Sequence, residues 1–196
     1  MAKKVKPVKK DPVVDAAIRL DLGCGDNKRE GFAGVDKFKT ASTDYIVDLF
    51  KFPWTTDKGY SWKDNSVDEM FCSQFVEHIP AAIRPRFFEE AWRVLKEDAQ
   101  FVVIVPYWAS MRSVQDFTHE WPPICEATFL YWNKSWREQN KLTHGAYDIK
   151  CNFDFTYGYS LDQELVVRNQ EWQQFAIKHY LHAATDLHVT LTKRVM

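Results

Sequence analysis

The stretch from Ala17 to Asp26, AIRLDLGCGD, decides the fold of this chain. A short apolar run ends at Leu22 and is followed at once by Gly23 and Gly25. Glycine lets a chain turn sharply, because no Cβ stands in the way, and lets a ligand approach the backbone closely. Open α/β sheets bind ligands at the carboxyl ends of their parallel strands. The stretch therefore predicts a buried strand whose end forms one side of a ligand site.

The residues around the two glycines restrict the ligand. A dinucleotide fingerprint needs a third glycine, but position 28 is Lys28. Asp21 in the strand end would repel a pyrophosphate, and it suits a cationic ligand such as a sulfonium that carries an ammonium group. Only eleven positions separate Gly25 from Asp36, so a short turn is expected instead of a complete crossover helix. A nicotinamide-dependent dehydrogenase is therefore a distant alternative.

The rest of the chain alternates strand-like and helical segments. Further strands are predicted at residues 34–36, 45–48, 67–73, 101–105, 152–159 and 186–192, of which 101–105 is a central buried strand. Helices are predicted at residues 82–95, at 135–141 with Ser135 as the N-cap, and at 162–181. Such alternation favours a parallel sheet with right-handed crossovers. The predicted fold is α/β, a Rossmann-like doubly wound sheet of seven mostly parallel strands with an antiparallel last strand.

The composition suits a single globular domain. The chain has 196 residues, of which 45% are hydrophobic and 27% charged. No apolar run is long enough to span a bilayer, and the basic N-terminus lacks the apolar core of a secretory signal. The four cysteines form no CxxC pair, so reduced thiols and a cytoplasmic location are expected.

Positive charge is concentrated at the N-terminus, where five lysines lie within the first ten residues. Subtracting these five charges from the net charge of −1 leaves −6 for the other residues. A compact domain of that charge repels phosphate backbones, which argues against tight nucleic-acid binding. Residues 1–12 are expected to form a disordered basic tail, and residues 13–196 the folded domain.

Several motifs, in order, resemble class I S-adenosylmethionine-dependent methyltransferases of the type-11-like group with a short first crossover loop. The resemblance spans about residues 17–108. Its landmarks are Leu20-Asp21-Leu22-Gly23-Cys24-Gly25, Gly34-Val35-Asp36, Val47-Asp48-Leu49, Asp64-Asn65-Ser66-Val67-Asp68, Phe71 to Ile79 with its Glu77-His78 pair, Arg93-Val94-Leu95-Lys96 and Phe101 to Pro106.

This resemblance implies S-adenosyl-L-methionine as the cofactor. It implies that Gly23 and Gly25 pass beside the methionine part while Asp21 helps the amino group. Asp36 would bind the two ribose hydroxyls, and Asp48 and Leu49 would frame the adenine. The backbone of Ser73 and Gln74 would receive the amino end. The full predicted cofactor set is Asp21, Leu22, Gly23, Cys24, Gly25, Asp36, Lys37, Asp48, Leu49, Ser73 and Gln74.

The methyl acceptor is less well defined by the sequence. The Asp/Asn-Pro-Pro-aromatic motif of enzymes that methylate exocyclic amino groups of bases is absent after the fourth strand, and so is a Pro-Cys nucleophile. The candidate general bases are His78 and His119, with Tyr107 and Glu77 expected near the pocket mouth. His78 could equally cap or pack against the next helix. His119 lies in a loop beyond the fifth strand, where functional residues are common.

An aromatic-rich segment follows the fifth strand, at residues 107–148. It is interpreted either as an acceptor-binding lid or as core packing. Cys125, Cys151, His119 and His144 match no zinc spacing, so no metal is predicted.

Three functions remain open at this stage. The first is a methyltransferase that acts on an oxygen, nitrogen or carbon atom of a small molecule. The second is a nucleic-acid or protein methyltransferase that docks through the basic arm. The third is a non-catalytic protein that binds S-adenosylmethionine or serves as a scaffold. The oligomeric state is not predicted.

Overall fold

The computed structural model describes residues 17–196, so the predicted basic tail at 1–12 lies outside the described residues. Seven strands form one sheet in the order β3-β2-β1-β4-β5-β7-β6. The strands are β1 (Arg19–Leu22), β2 (Ala33–Asp36), β3 (Tyr45–Ile46), β4 (Val67–Ser73), β5 (Leu95–Pro106), β6 (Phe153–Leu161) and β7 (Ala184–Lys193). The first five strands are parallel to one another, and β7 runs antiparallel to both β5 and β6. The α/β, Rossmann-like prediction is confirmed.

Four α-helices accompany the sheet in the described residues. They are α1 (Arg84–Val94), α2 (Lys134–Gln139), α3 (Gln163–Val166) and α4 (Gln170–His179). The crossovers from β1 to β2 and from β2 to β3 contain no helix in the described chain, as the short spacing between Gly25 and Asp36 predicts for the first of them. The helix α1 crosses from β4 to β5 and buries Phe87, Phe88 and Ala91. Its apolar residues recur at helical spacing, which explains why this helix is predicted well.

The central strand is covered unequally on its two faces. Phe101, Val103 and Val105 of β5 are buried, whereas Val102 and Ile104 between them are only half-buried. Successive side chains of a strand point to opposite faces, so one face of β5 is more open than the other. The prediction of a buried central strand is therefore correct for one face only.

Two predicted helices differ from the structure. The segment 162–181 is not one helix, because Asp162 caps α3 and Asn169 caps α4 with side-chain oxygens that accept backbone N–H groups. Such local hydrogen bonds compete with a continuous helix. The N-cap of α2 is Asn133 rather than Ser135, since the Asn133 side chain accepts from the N–H of Trp136 at 2.9 Å.

Candidate cofactor and acceptor site

The turn after β1 exposes backbone without side chains. Gly23 and Gly25 have φ values of +69° and +50°, in the left-handed region that favours glycine. A Cβ on Gly23 would lie 2.3 Å from the ring of Phe75, so no other residue fits there. A Cβ on Gly25 would meet nothing within 4 Å, so open space adjoins this glycine. The turn leaves room for a ligand beside its backbone.

Two side chains of the predicted cofactor motif face the interior. Leu22 is completely buried, and Cys24 is nearly so. Burial raises the pKa of the Cys24 thiol to about 11, so the thiol stays protonated at neutral pH. Any contact of these two residues with a ligand therefore has to be made by their backbone.

Asp21 closes the loop that replaces a crossover helix. Its carboxylate is buried and accepts a hydrogen bond from the backbone N–H of Arg29 at 2.7 Å. Burial raises the pKa of Asp21, and the hydrogen bond from Arg29 opposes that rise. Asp21 therefore holds the loop after β1 in place through this hydrogen bond. The resemblance implies in addition that Asp21 helps to bind the amino group of the cofactor.

Asp36 connects the ends of β1 and β2. Its Oδ2 accepts from the N–H of Gly25 at 3.0 Å, and its Oδ1 accepts from the N–H of Phe38 at 2.9 Å. Each oxygen of an ionised carboxylate has two acceptor positions, so both keep one for a hydroxyl donor. The carboxylate is fixed by the backbone and still able to bind a diol.

Asp48 follows β3 and is flanked by lysines. Its Oδ2 lies 3.6 Å from Lys37 Nζ and 3.4 Å from Lys51 Nζ, and both lysines are exposed. Leu49 is buried, and its carbonyl accepts from Trp54 Nε1 at 3.2 Å. The Leu49 side chain therefore belongs to the core, so Asp48 and the backbone remain for a ligand at this position.

The end of β4 carries a network that the sequence did not indicate. Gln74 follows Ser73 with a φ of +55°, and its Nε2 donates to Asp186 Oδ1 at 3.0 Å. Arg112 donates to the other oxygen of Asp186 at 3.0 Å. Asp186 lies 112 residues after Gln74. Only the antiparallel pairing of β7 with β5 brings Asp186 to this edge, so no local signal could have revealed it.

Glu77, His78 and His119 meet beside this network. The rings of His78 and His119 are 4.8 Å apart at an angle of 73°. Glu77 is only 6% exposed, and neither of its carboxylate oxygens has a hydrogen-bond partner. Burial raises the pKa of Glu77 to about 7. Glu77 is buried beneath this edge of the site, and the two candidate bases that the sequence named separately are brought together.

A buried arginine holds the loop that carries His119. Arg84 donates from Nε to the carbonyl of Ile79 at 2.9 Å, and from its other two nitrogens to Glu120 at 2.9 Å and Pro122 at 2.7 Å. The planar guanidinium satisfies three carbonyls at fixed angles. The start of α1 is thereby fixed to the loop above the strand ends.

The aromatic-rich segment divides into two parts with different environments. We call residues 108–122 the rim segment and residues 124–151 the packing segment. Phe117 and Trp121 of the rim segment are 98% and 76% exposed, whereas Phe129 and Trp132 of the packing segment are buried. The Trp132 ring stacks on Phe88 of α1 at 4.7 Å. The core-packing interpretation describes Phe129 and Trp132 of the second part, and the lid interpretation stays a prediction for the first part.

Tyr107, the residue before the rim segment, is not at a pocket mouth. It is 4% exposed and packs edge-on against Tyr159 at 5.1 Å. Burial raises the pKa of its hydroxyl. That prediction is wrong because the chain turns inward after β5, where the N–H of Tyr107 donates to Thr185.

The cysteines of the rejected zinc set do not join the histidine pair in one group of potential metal ligands. Within residues 17–196, the group of potential metal ligands that contains His119 consists of Glu77, His78 and His119. Cys151 is fully buried, with its sulfur 3.9 Å from the carbonyl of Trp132.

Comparisons with known proteins found a partial family match and a shared fold. The sequence model of a family described as a methyltransferase domain matches residues 36–103. A S-adenosylmethionine-dependent methyltransferase from Archaeoglobus fulgidus shares the fold, with 18% identity over 90% of this chain and 86% of that chain and a TM-score of 0.62. A second S-adenosylmethionine-dependent methyltransferase, from Mesorhizobium loti, has 14% identity over 93% of each chain and a TM-score of 0.48. No curated protein sequence matches the chain.

The predicted resemblance is confirmed to this extent: residues 36–103 match the model of a methyltransferase domain, and the chain shares its fold with a S-adenosylmethionine-dependent methyltransferase. The family match begins at Asp36 and does not include the glycine turn. No helix among residues 17–196 is long and apolar enough to cross a membrane.

Proposed function

We propose that this protein transfers the methyl group of S-adenosylmethionine to a nucleophilic atom of a small-molecule acceptor. The observation that carries the proposal is the pairing of Asp36 with Gly25 at 3.0 Å, which fixes a carboxylate beside an open glycine turn. A ligand with a vicinal diol and a cationic centre fits this edge, because the carboxylate accepts hydroxyl donors and Asp21 and Asp48 add negative charge.

The cofactor-binding residues in this proposal are those named from the sequence, with roles limited by burial. The Asp36 carboxylate binds the ribose hydroxyls, and Asp48 lies beside the adenine together with the backbone of Leu49. The backbone at Gly23, Gly25 and Gln74 borders the methionine part. When bound, the cofactor supplies an electrophilic methyl carbon and leaves as a neutral thioether.

The histidine pair marks the acceptor end of the site. Nδ1 of His119 lies 3.1 Å from the carbonyl oxygen of Ser113, which can only accept, so Nδ1 carries the proton. The hydroxyl of Thr118 donates to Asp116 at 2.7 Å and therefore accepts from Nδ1 of His78 at 3.0 Å. Nε2 of each ring keeps a lone pair that can accept the proton released by an acceptor hydroxyl or amine.

The exposed aromatic rings of the rim segment support a small organic acceptor. Rings at the edge of a site offer apolar contact to a ligand of moderate size. The cytoplasmic location and the small-molecule class of the acceptor stay predictions from the sequence.

Calorimetric titration with S-adenosylmethionine, S-adenosylhomocysteine and NAD tests the proposal. The first two ligands should bind to the wild type, and NAD should not. Asp36→Asn should weaken their binding by 10-fold or more, because it removes the charge and one acceptor oxygen. The control Asp57→Asn, at an exposed position after β3, should bind like the wild type. Folded protein that binds neither sulfur compound would contradict the proposal.

A further inference from the structure

The carboxylate of Glu77 lacks a partner inside the protein. Both oxygens are inaccessible to solvent, and neither accepts a hydrogen bond. An ionised carboxylate that is buried without a partner costs several kcal/mol, so such groups are protonated, paired or bound to a metal ion. The Glu77 carboxyl is therefore a place where a proton or a cation is bound.

Two imidazoles with a free nitrogen each lie next to this carboxylate. One ligand atom each from Glu77, His78 and His119 lies within 4.8 Å of the other two. The Nδ1 protons face Thr118 and the carbonyl of Ser113, so the Nε2 lone pairs are the ones left for a ligand. Histidines that bind metals commonly donate their second ring N–H to a carbonyl or carboxylate in this way.

The surroundings add negative charge and hold the ligands in place. The carboxylate of Asp116 lies 4.0 Å from Nε2 of His119. The N–H of Glu120 donates to the carbonyl of Glu77 at 2.9 Å, and Arg84 holds the carbonyls of Glu120 and Ile79. The loop with His119 is therefore fixed to the turn that carries Glu77 and His78.

We propose that Glu77, His78 and His119 form a binding site for one divalent first-row transition-metal ion of the zinc type. Two imidazoles and one carboxylate are a ligand set that leaves a fourth position open in a tetrahedral zinc site. Zinc–ligand bonds of about 2.0–2.2 Å require the three atoms to approach one another by roughly 1 Å. Imidazole ligands favour such ions over Mg²⁺, which prefers oxygen ligands.

The role of the ion rests on the proposed methyltransferase function. Its open position would take a hydroxyl oxygen of the acceptor and lower the pKa of that hydroxyl. With the ion bound, the Nε2 lone pairs of both histidines are occupied, so the hydroxyl proton passes to solvent and not to a histidine. The oxygen lone pair forms the bond to the methyl carbon, and the electrons of the carbon–sulfur bond remain on sulfur. The acceptor is then a hydroxyl-bearing small molecule.

Calorimetric titration of the untagged, chelator-treated full chain with Zn²⁺, Mn²⁺ and Mg²⁺ tests the site. One equivalent of Zn²⁺ should bind, more tightly than Mg²⁺. His119→Ala and Glu77→Gln should each weaken Zn²⁺ binding by at least 10-fold. His144→Ala and Cys125→Ser are matched controls that should bind Zn²⁺ like the wild type, because they belong to the cysteine-containing set.

A second measurement covers the case in which a variant folds poorly. Co²⁺ added to the wild type should give the visible d–d absorption of a four- or five-coordinate site, and excess Zn²⁺ should remove it. Absence of this spectrum, equal loss of Zn²⁺ binding in His144→Ala, or Mg²⁺ binding as tight as Zn²⁺ would overturn the inference. S-adenosylmethionine binding, measured separately in chelator, tests the proposed function independently. A protein that binds Zn²⁺ but does not bind S-adenosylmethionine would refute the proposed methyltransferase function and leave the metal site standing.

Discussion

The rim segment and the packing segment follow one another in the chain and are equally rich in aromatic residues, yet they have different tasks. Each is held by one buried arginine that donates to three carbonyls. Arg84 serves the rim segment, and Arg137 serves the packing segment through the carbonyls of Tyr131, Ile149 and Cys151. The difference lies in the rings: Phe117 and Trp121 of the rim segment are exposed, whereas Phe129 and Trp132 of the packing segment are buried against Phe88 of α1. Aromatic content alone therefore does not distinguish a binding surface from a core.

Truncation of a ring in the packing segment should have the largest effect. Phe129→Ala removes a fully buried ring that contacts Phe88 edge-on at 6.1 Å. We expect a loss of about 3–5 kcal/mol in the free energy of unfolding, measured by urea denaturation. A loss below about 1 kcal/mol would show that this segment is not part of the core.

Replacement of the two arginines should separate the segments. Arg84→Met and Arg137→Met each leave three carbonyls without a donor and should cost about 2–4 kcal/mol. In hydrogen exchange, Arg84→Met should speed exchange at residues 118–122 and weaken Zn²⁺ binding. Arg137→Met should affect residues 131–151 and leave Zn²⁺ binding unchanged. If both variants weakened Zn²⁺ binding equally, the two arginines would not serve separate segments.

The pH dependence of stability should reveal the carboxylate beneath the rim segment. The pKa of Glu77 is about 7 in the folded protein against 4.5 for an ordinary glutamate, so unfolding releases its proton between these values. In chelator, the contribution of Glu77 to stability should fall as the pH rises from about 4.5 to 7 and stay constant above.

Glu77→Gln should abolish this dependence. Since the amide carries no charge, the variant should gain up to about 3 kcal/mol over the wild type at pH 8, measured by urea denaturation in chelator. Glu138→Gln, at an exposed position in α2, is the control and should keep the wild-type profile. An unchanged profile in Glu77→Gln would mean that this carboxylate is not desolvated.

The smallest change in stability should come from the rim rings. Phe117→Ala removes a side chain that is almost fully exposed. The free energy of unfolding should change by no more than about 0.5 kcal/mol. Urea denaturation of Phe117→Ala and Phe129→Ala under the same conditions gives the comparison directly. A loss above about 2 kcal/mol in the free energy of unfolding of Phe117→Ala would show that Phe117 is buried, contrary to the structure.

The positions of most strands along the chain and the Rossmann-like class of the sheet followed from local sequence signals. The glycine turn, Asp36 and the apolar run of β5 are recognisable because short-range chemistry determines them. The division of residues 162–181 into α3 and α4 was missed, since the capping role of Asn169 outweighed the helical pattern around it.

The contacts within the site were harder to predict. Asp186 reaches Gln74 through strand pairing, and His119 reaches His78 through the loop that Arg84 holds. Tyr107 was misplaced because its burial depends on β6 and β7, far along the chain. Contacts between residues far apart in the chain, such as these, cannot be read from the residues that surround each of them in the sequence.

Hydrogen exchange with and without S-adenosylhomocysteine tests the central claim most directly. The account predicts that the ligand slows exchange at residues 23–29, 36–38, 48–50 and 73–75, while residues 124–151 exchange as before. Protection confined to the packing segment, or no protection at the ends of β1, β2 and β4, would contradict it.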